Sequence, residues 1–220
     1  MTRTLLAARN QLRDRWHDLM ATPAPSEERR RFWRATRERH PAFGVAVAED
    51  ARVTAARRGE RYAHRSSLDA MVQALRLAIV TESFFAQCCY RAKARCQALG
   101  IPLLPRVLNH LAVTTGRIAI GDPVVVEPGV FIPHGQVCID GITTIGRGTV
   151  IAPFTTIGLR SGDFVGPTIG SHVAIGAGAC ILGPCVVGGG ATIGANAVVV
   201  SDVPDGATAT GVPARVRPPV

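Results

Sequence analysis

With 220 residues the chain can bury a substantial core in one large domain or two small ones. Hydrophobic residues make up 47% of it but aromatics only 5%, which excludes a core built on large rings and points to narrow layers of Ile, Val and Ala. The +9 charge sits in the first half: residues 1–115 hold 20 Lys and Arg against 10 Asp and Glu, residues 116–220 hold 5 against 6, so two domains divided at 115/116 are expected.

Helical signals fill the first half. Thr2–Met20 has apolar residues at helical spacing and stops ahead of Pro23 and Pro25, while Arg9, Arg13, Asp14 and Arg15 interrupt any signal-peptide core. Ser26 followed by Glu27 and Glu28 reads as the cap and acidic first turn of a helix that reaches Arg39–His40 and ends before Pro41. The segment 43–59 is ambiguous. Ser66 or Ser67 caps a long pattern through Val80; after a break near 81–83 it resumes to Leu99 and stops at Gly100. Pro102 and Pro105 punctuate a last short helix, 106–112. The most apolar stretch, 68–90, contains Asp69, Arg76 and Glu82 and is not a membrane span.

The basic charge is nearly all arginine, Lys93 being the single lysine, and no RNP, zinc-finger or polybasic-tail pattern accompanies it. The expectation is a solvated Arg-rich helical surface, with neither a nucleic-acid nor a membrane partner. Cys88, Cys89, Cys96, Cys138, Cys180 and Cys185 form no CxxC and no zinc spacing with histidine; buried free thiols and a cytoplasmic location are expected.

Beyond Ile118 the period becomes six. From Ile139 the slots Ile145, Ile151, Ile157, Ile169, Ile175, Ile181, Val187, Ile193 and Val199 are all β-branched aliphatics, and only Asp163 breaks the series. Glycine follows the slot at 146, 158, 170, 176, 188 and 194; two residues ahead of it stand Thr143, Thr149, Thr155, Ala179, Ala191 and Ala197. Such a repeat fits a short strand that points one aliphatic side chain into a narrow tube, then a corner where glycine relieves strain. Three edges make a triangular coil of about eighteen residues, stacked strand over strand. Two irregularities stand out, and regular scaffolds place function at their irregularities. Ile120, Val126 and Ile132 keep the period, but Ile139 comes one residue late, across Pro133-His134-Gly135-Gln136. Farther on, the segment 158–167 swallows the Asp163 slot and is expected to loop out.

His134 stands in the first irregularity, on a scaffold too narrow to bury a ring, so it should face outward where it can act as a general base. His172 is expected at a solvated corner. His17, His40, His64 and His110 show no partner pattern, and no three-histidine set indicates a metal.

The run Pro128-Gly129-Val130-Phe131-Ile132-Pro133-His134-Gly135, with Ile145-Gly146, Thr155-Thr156-Ile157-Gly158, Ile175-Gly176-Ala177-Gly178-Ala179 and Gly211-Val212-Pro213-Ala214-Arg215, resembles the serine O-acetyltransferases of the hexapeptide-repeat acyltransferases. The likeness spans residues 100–216 and supplies a handedness the period lacks. The expected fold is α+β: an N-terminal all-α helical domain (1–115), then a left-handed parallel β-helix of about five coils (116–220). The resemblance implies acetyl-CoA as acyl donor, no metal, and His134 as the base that deprotonates the acceptor hydroxyl. It implies a homotrimer whose subunits enclose a pantetheine groove lined by Gly158, Leu159, Gly176, Ala177, Ala179, Gly194, Ala195, Gly211, Val212 and Pro213, with Arg215 at a CoA phosphate. A dimer of trimers through the helical half is a further expectation.

Three positions depart from that pattern. Ala119 stands where the family's histidine-orienting carboxylate lies, fifteen residues ahead of His134; Pro133 replaces an acidic residue, and Gly166 a second histidine. Asp122 or Glu127 is expected to take the orienting role, and Arg160 and Asp163 to contact the acceptor. The expected function is acetyl transfer to the hydroxyl of a small amino acid, L-serine foremost. The alternatives are a sugar or specialised-metabolite acceptor (hydroxyl or amine) and a non-catalytic scaffold. The ending Arg217-Pro218-Pro219-Val220 carries no docking tail, so no complex with the next enzyme of cysteine synthesis is expected.

Overall fold

The computed structural model describes residues 27–60 and 66–219. The expected helix over 2–20, the Ser26 cap, His17 and His64 lie outside the described residues. The first described helix, α1 (Glu27–Arg39), opens on Glu27 and Glu28 and ends on Arg37 and Arg39, charges that suit the two ends of its dipole. The ambiguous segment 43–59 is helix α2 (Phe43–Arg57), which buries a face of small residues, Ala46, Asp50, Ala51, Thr54 and Ala55. Helix α3 (Ser67–Val80) is capped by Ser66, whose Oγ accepts from the Asp69 N–H at 3.2 Å. Extended Thr81 (φ −139°) separates it from α4 (Glu82–Ala98). The last helix, α5 (Leu104–Gly116), runs longer than the prolines indicated.

The second half is the expected left-handed β-helix. One sheet stacks β1 (Ile118–Ile120), β3 (Val137–Ile139), β6 (Thr156–Gly158), β9 (Cys180–Leu182) and β12 (Val198–Val199). A second stacks β2 (Val125–Val126), β4 (Thr144–Ile145), β7 (Thr168–Ile169) and β10 (Val186–Val187). The third stacks β5 (Val150–Ile151), β8 (Ala174–Ile175), β11 (Thr192–Ile193) and β13 (Thr208–Thr210), and antiparallel β14 (Arg215–Arg217) closes it. The slots lie one above another: Ile139 on Ile157 on Ile181 on Val199, Ile145 on Ile169 on Val187, and Ile151 on Ile175 on Ile193. All are buried in one core cluster, which meets aromatic rings only at its helical end, where Tyr90 and Phe85 pack. The buried threonines satisfy their hydroxyls locally: Thr143 donates to Asp140 O (2.7 Å), Thr149 to Gly170 O (3.0 Å) and Thr155 to Ala152 O (2.6 Å).

Both irregularities are visible in the register. Across the first, partners are 19 residues apart (Ile118 with Val137), and across the second 24 (Thr156 with Cys180), against 18 for a regular coil such as Cys180 with Val198. The excess in the second is a loop over 159–166 that takes Asp163 off the core.

The first coil has no preceding coil to pair with, and α4 takes that place. Along one face of α4, Ser83 Oγ donates to Pro133 O (3.3 Å), Gln87 Nε2 to Val130 O (3.0 Å) and Tyr90 Oη to Val124 O (2.8 Å). Arg91 donates to Val126 O and to Glu127 O (2.9 Å), and Lys93 Nζ to Ile120 O (2.5 Å). Arg91 also pairs with Asp50 of α2 (2.9 Å), whose carboxylate accepts the Gly129 N–H (2.7 Å). An open end of a β-helix leaves backbone acceptors that must find donors, and this row supplies them. The expectation of a solvated arginine surface therefore holds for Arg30, Arg31, Arg34 and Arg37 and fails at Arg91 and Lys93, which are 4% and 3% exposed. The cysteines are all free, but Cys138 corrects the expectation that all are buried: the alternation of β3 turns it outward.

Candidate active site

The tube has three edges, and each expected site residue can be placed on one of them. The edge from the third sheet to the first carries 133–136, 152–155, 176–179, 194–197 and 210–214 in layers. Gly178 N donates to Pro153 O (3.0 Å), Asn196 N to Ala177 O (2.8 Å) and Val198 N to Gly211 O (3.0 Å). His134 heads this column, exposed.

Its backbone is held from both sides. Ahead of it, Pro133 O accepts the Ser83 hydroxyl; behind it, the N–H groups of Gln136 (2.7 Å) and Val137 (3.2 Å) donate to Arg117 O. Gly135 approaches α5 so closely that a Cβ there would stand 1.8 Å from Gly116 O, which makes glycine obligatory. The imidazole itself has no hydrogen-bond partner among the described residues and opens into a cleft of about 550 Å³. Glu82, Thr115, Arg117, Pro153 and Phe154 share its walls.

Neither expected orienting carboxylate lies in that cleft. Asp122 is bound to Lys93 Nζ at 3.0 Å, and Glu127 accepts the Arg147 N–H at 2.9 Å. Ala119 pairs with Cys138 in the first sheet, with no carboxylate at its position. Glu82 and Arg117 went unnoticed in the sequence: one reads as an ordinary first-turn acid, the other as a linker residue.

The expected acyl-donor residues divide between edges. Gly176, Ala177, Ala179, Gly194, Ala195, Gly211, Val212 and Pro213 lie in the column headed by His134, with Ala177, Ala195 and Val212 exposed along it. The Ala179 side chain points into the core, so only its main chain faces outward. A Cβ at Gly176 would come 2.6 Å from Ala195 N, so coil stacking alone demands that glycine. Arg215 begins β14, exposed. Gly158 and Leu159 belong instead to the edge between the first and second sheets, where the 159–166 loop leaves the tube. Arg160 and Asp163 are in that loop, the Asp163 N–H donating to Arg160 O at 3.0 Å. Within one chain the loop and His134 stand on different edges.

The other histidines are accounted for separately. His172, exposed with φ 59°, is at the third edge beside Gly148. His40 lies at the α1–α2 junction; burial first, then the charges of Arg91, Lys93 and Arg39, lower its pKa from 6.5 to about 4. Among the described residues no three His, Cys, Asp or Glu side chains converge as a metal ion would require, and no helix is long and apolar enough to cross a membrane.

Known proteins resemble this chain in sequence and fold. A serine acetyltransferase of Helicobacter pylori is 40% identical over 131 residues, which span 58% of this chain and 76% of the relative. A solved serine acetyltransferase in complex with CoA superposes with a TM-score of 0.66 at 26% identity, covering 90% of this chain and 79% of that one. A soybean serine acetyltransferase complexed with serine gives 0.66 at 27% identity, over 82% and 71% of the two chains. No protein-family model matches the chain.

Proposed function

The chain belongs to the serine acetyltransferase family, and from that membership we propose that it transfers acetyl from acetyl-CoA to the hydroxyl of a small amino acid, L-serine foremost. One observation carries the reading: His134 is exposed, anchored on both sides by backbone contacts, and placed at the head of a column of small residues. The imidazole takes the proton of the acceptor hydroxyl as its oxygen attacks the thioester carbon. Backbone N–H groups along the column hold the oxyanion, which collapses with release of the CoA thiolate, and the imidazolium returns the proton to that sulfur. Glycine and alanine at 176, 177, 194 and 195 let a thin pantetheine arm lie against the backbone, and Arg215 meets a CoA phosphate.

Because Gly158, Leu159, Arg160 and Asp163 lie on a different edge from His134, a complete site needs two copies of the chain. A homotrimer that sets one subunit's loop edge beside its neighbour's His134 column satisfies this, and the helical half (1–115) is free to join trimers further. The second reading keeps the chemistry and changes the acceptor. It is favoured by Gly166, where the family's second histidine would stand: a Cβ there would lie 2.0 Å from Thr143 Oγ1, so no side chain fits.

Release of CoA thiol from acetyl-CoA, followed across L-serine, sugars and water, tests the proposal. L-serine should release thiol well above the water rate, and His134→Ala should lower kcat by about 10²- to 10⁴-fold, the usual worth of a general base. Unchanged turnover in His134→Ala would remove the mechanism, and no release above water with any acceptor would leave the scaffold reading.

A further inference from the structure

We propose that Glu82 and Arg117 set the acceptor specificity of the His134 cleft, Glu82 taking the α-ammonium and Arg117 the α-carboxylate of an amino-acid acceptor whose hydroxyl meets His134. The inference rests on the activity proposed above and names residues for its acceptor.

Three observations lead to it. A carboxylate and a guanidinium line one cleft with His134, and neither forms an ion pair or a side-chain hydrogen bond, with each other or with any other described residue. The buried charges packed against the first coil are, by contrast, paired: Asp50 with Arg91 and Lys93 with Asp122. Two opposite charges left open around a general base complement a zwitterion, with the guanidinium fork suited to a carboxylate.

Both residues are also tied in position to His134. Ser83, next to Glu82, donates to Pro133 O immediately before the histidine, and Arg117 O accepts the N–H groups of Gln136 and Val137 just after it. The main chain at Glu82 and Arg117 is therefore held to the His134 corner. Finally, Arg117 adopts φ 52° in the left-handed region as the C-cap of α5, where glycine or asparagine would be less strained. Retaining an arginine there costs conformational energy, and binding by its side chain gives a reason for it. The charged groups the resemblance would place near the acceptor leave room for such a replacement, since Pro133 and Gly166 carry no charge.

Steady-state kinetics on the full chain separate the roles. The variants are Glu82→Gln, Arg117→Met and Arg117→Lys, and the acceptors are L-serine, 3-hydroxypropionate (no ammonium) and ethanolamine (no carboxylate). Loss of a charge-assisted hydrogen bond should raise the L-serine KM by about tenfold or more, with kcat and the acetyl-CoA KM nearly unchanged. Glu82→Gln should narrow the preference for L-serine over 3-hydroxypropionate, Arg117→Met that over ethanolamine, and Arg117→Lys should restore part of the loss. Both side chains are exposed, and equal melting temperatures will confirm folding. An L-serine KM unchanged in both charge-removing variants, or a loss confined to acetyl-CoA, overturns the assignment while leaving the activity standing. A wild-type chain that releases no CoA with L-serine overturns the activity, and the assignment with it.

Discussion

His40 shows how one residue couples the helical half to pH. Its ring lies 6.1 Å from that of Tyr90, and burial together with Arg91 and Lys93 lowers its pKa from 6.5 to about 4. The unfolded chain therefore binds this proton as pH falls through 6.5, whereas the folded chain holds it off until about 4. Its contribution to stability is complete above pH 6.5 and is lost as pH falls from there toward 4. Urea midpoints measured between pH 7 and pH 5 should fall with acidity, and His40→Gln should flatten that slope. Gly135 is the sharper case, because its demand is steric. Gly135→Ala should push the His134 corner off α5 and cost both stability (about 1–3 kcal/mol, the range for overpacking) and kcat, read by thermal melting and thiol release.

At the scale of elements, α4 decides whether the β-helix has a finished end. The row Ser83, Gln87, Tyr90, Arg91 and Lys93 replaces a missing strand with side-chain donors, and Asp50 of α2 balances one of the two buried cations. Removing one partner of a buried pair strands the other, which typically costs about 3–5 kcal/mol. Asp50→Ala should destabilise by about that much in urea unfolding, more than any exposed-charge change on α1. The double variant Asp50→Ala/Arg91→Met should cost less than the two singles together, because the stranded charge is gone. This seam was illegible in the sequence for a physical reason. Arginine on a helix is ordinarily solvated, and nothing within residues 82–98 announces a coil end with unpaired carbonyls. Those carbonyls come together only when residues 118–133 have folded. The clue was compositional at most, a single lysine among so many arginines.

For the whole molecule, the testable question is how edges meet. A monomer keeps His134 and the 159–166 loop apart, so sedimentation should give a particle three times the chain mass or a multiple of it, and dilution that breaks the trimer should abolish turnover. Deleting residues 160–165 would bring the 24-residue spacing of Thr156 and Cys180 back to the regular 18. That variant should keep its β-helix and its affinity for acetyl-CoA on the His134 column while losing acceptor turnover, as seen by circular dichroism, calorimetry and thiol release. Retained turnover would show that Arg160 and Asp163 are dispensable to the acceptor and leave its binding to Glu82 and Arg117.

The tube itself could be read from the chain alone. A period of six with β-branched residues in every slot but one permits a single kind of packing, and Ile139, Ile157, Ile181 and Val199 stack as that period requires. Both breaks were legible in the period as well, the first as one residue too many before Ile139 and the second as Asp163 in an aliphatic slot. So was His134, a ring on a scaffold with no room for one. Tertiary structure decided what surrounds it. Glu82, Ser83, Gly116 and Arg117 lie 17 to 52 residues ahead of His134 and belong to no repeat, so only the docking of α4 and α5 on the first coil brings them to the cleft. A repeat reports its own core because every unit solves the same local problem. Its end and its cleft are solved once, by contacts between distant segments, and leave no period to read.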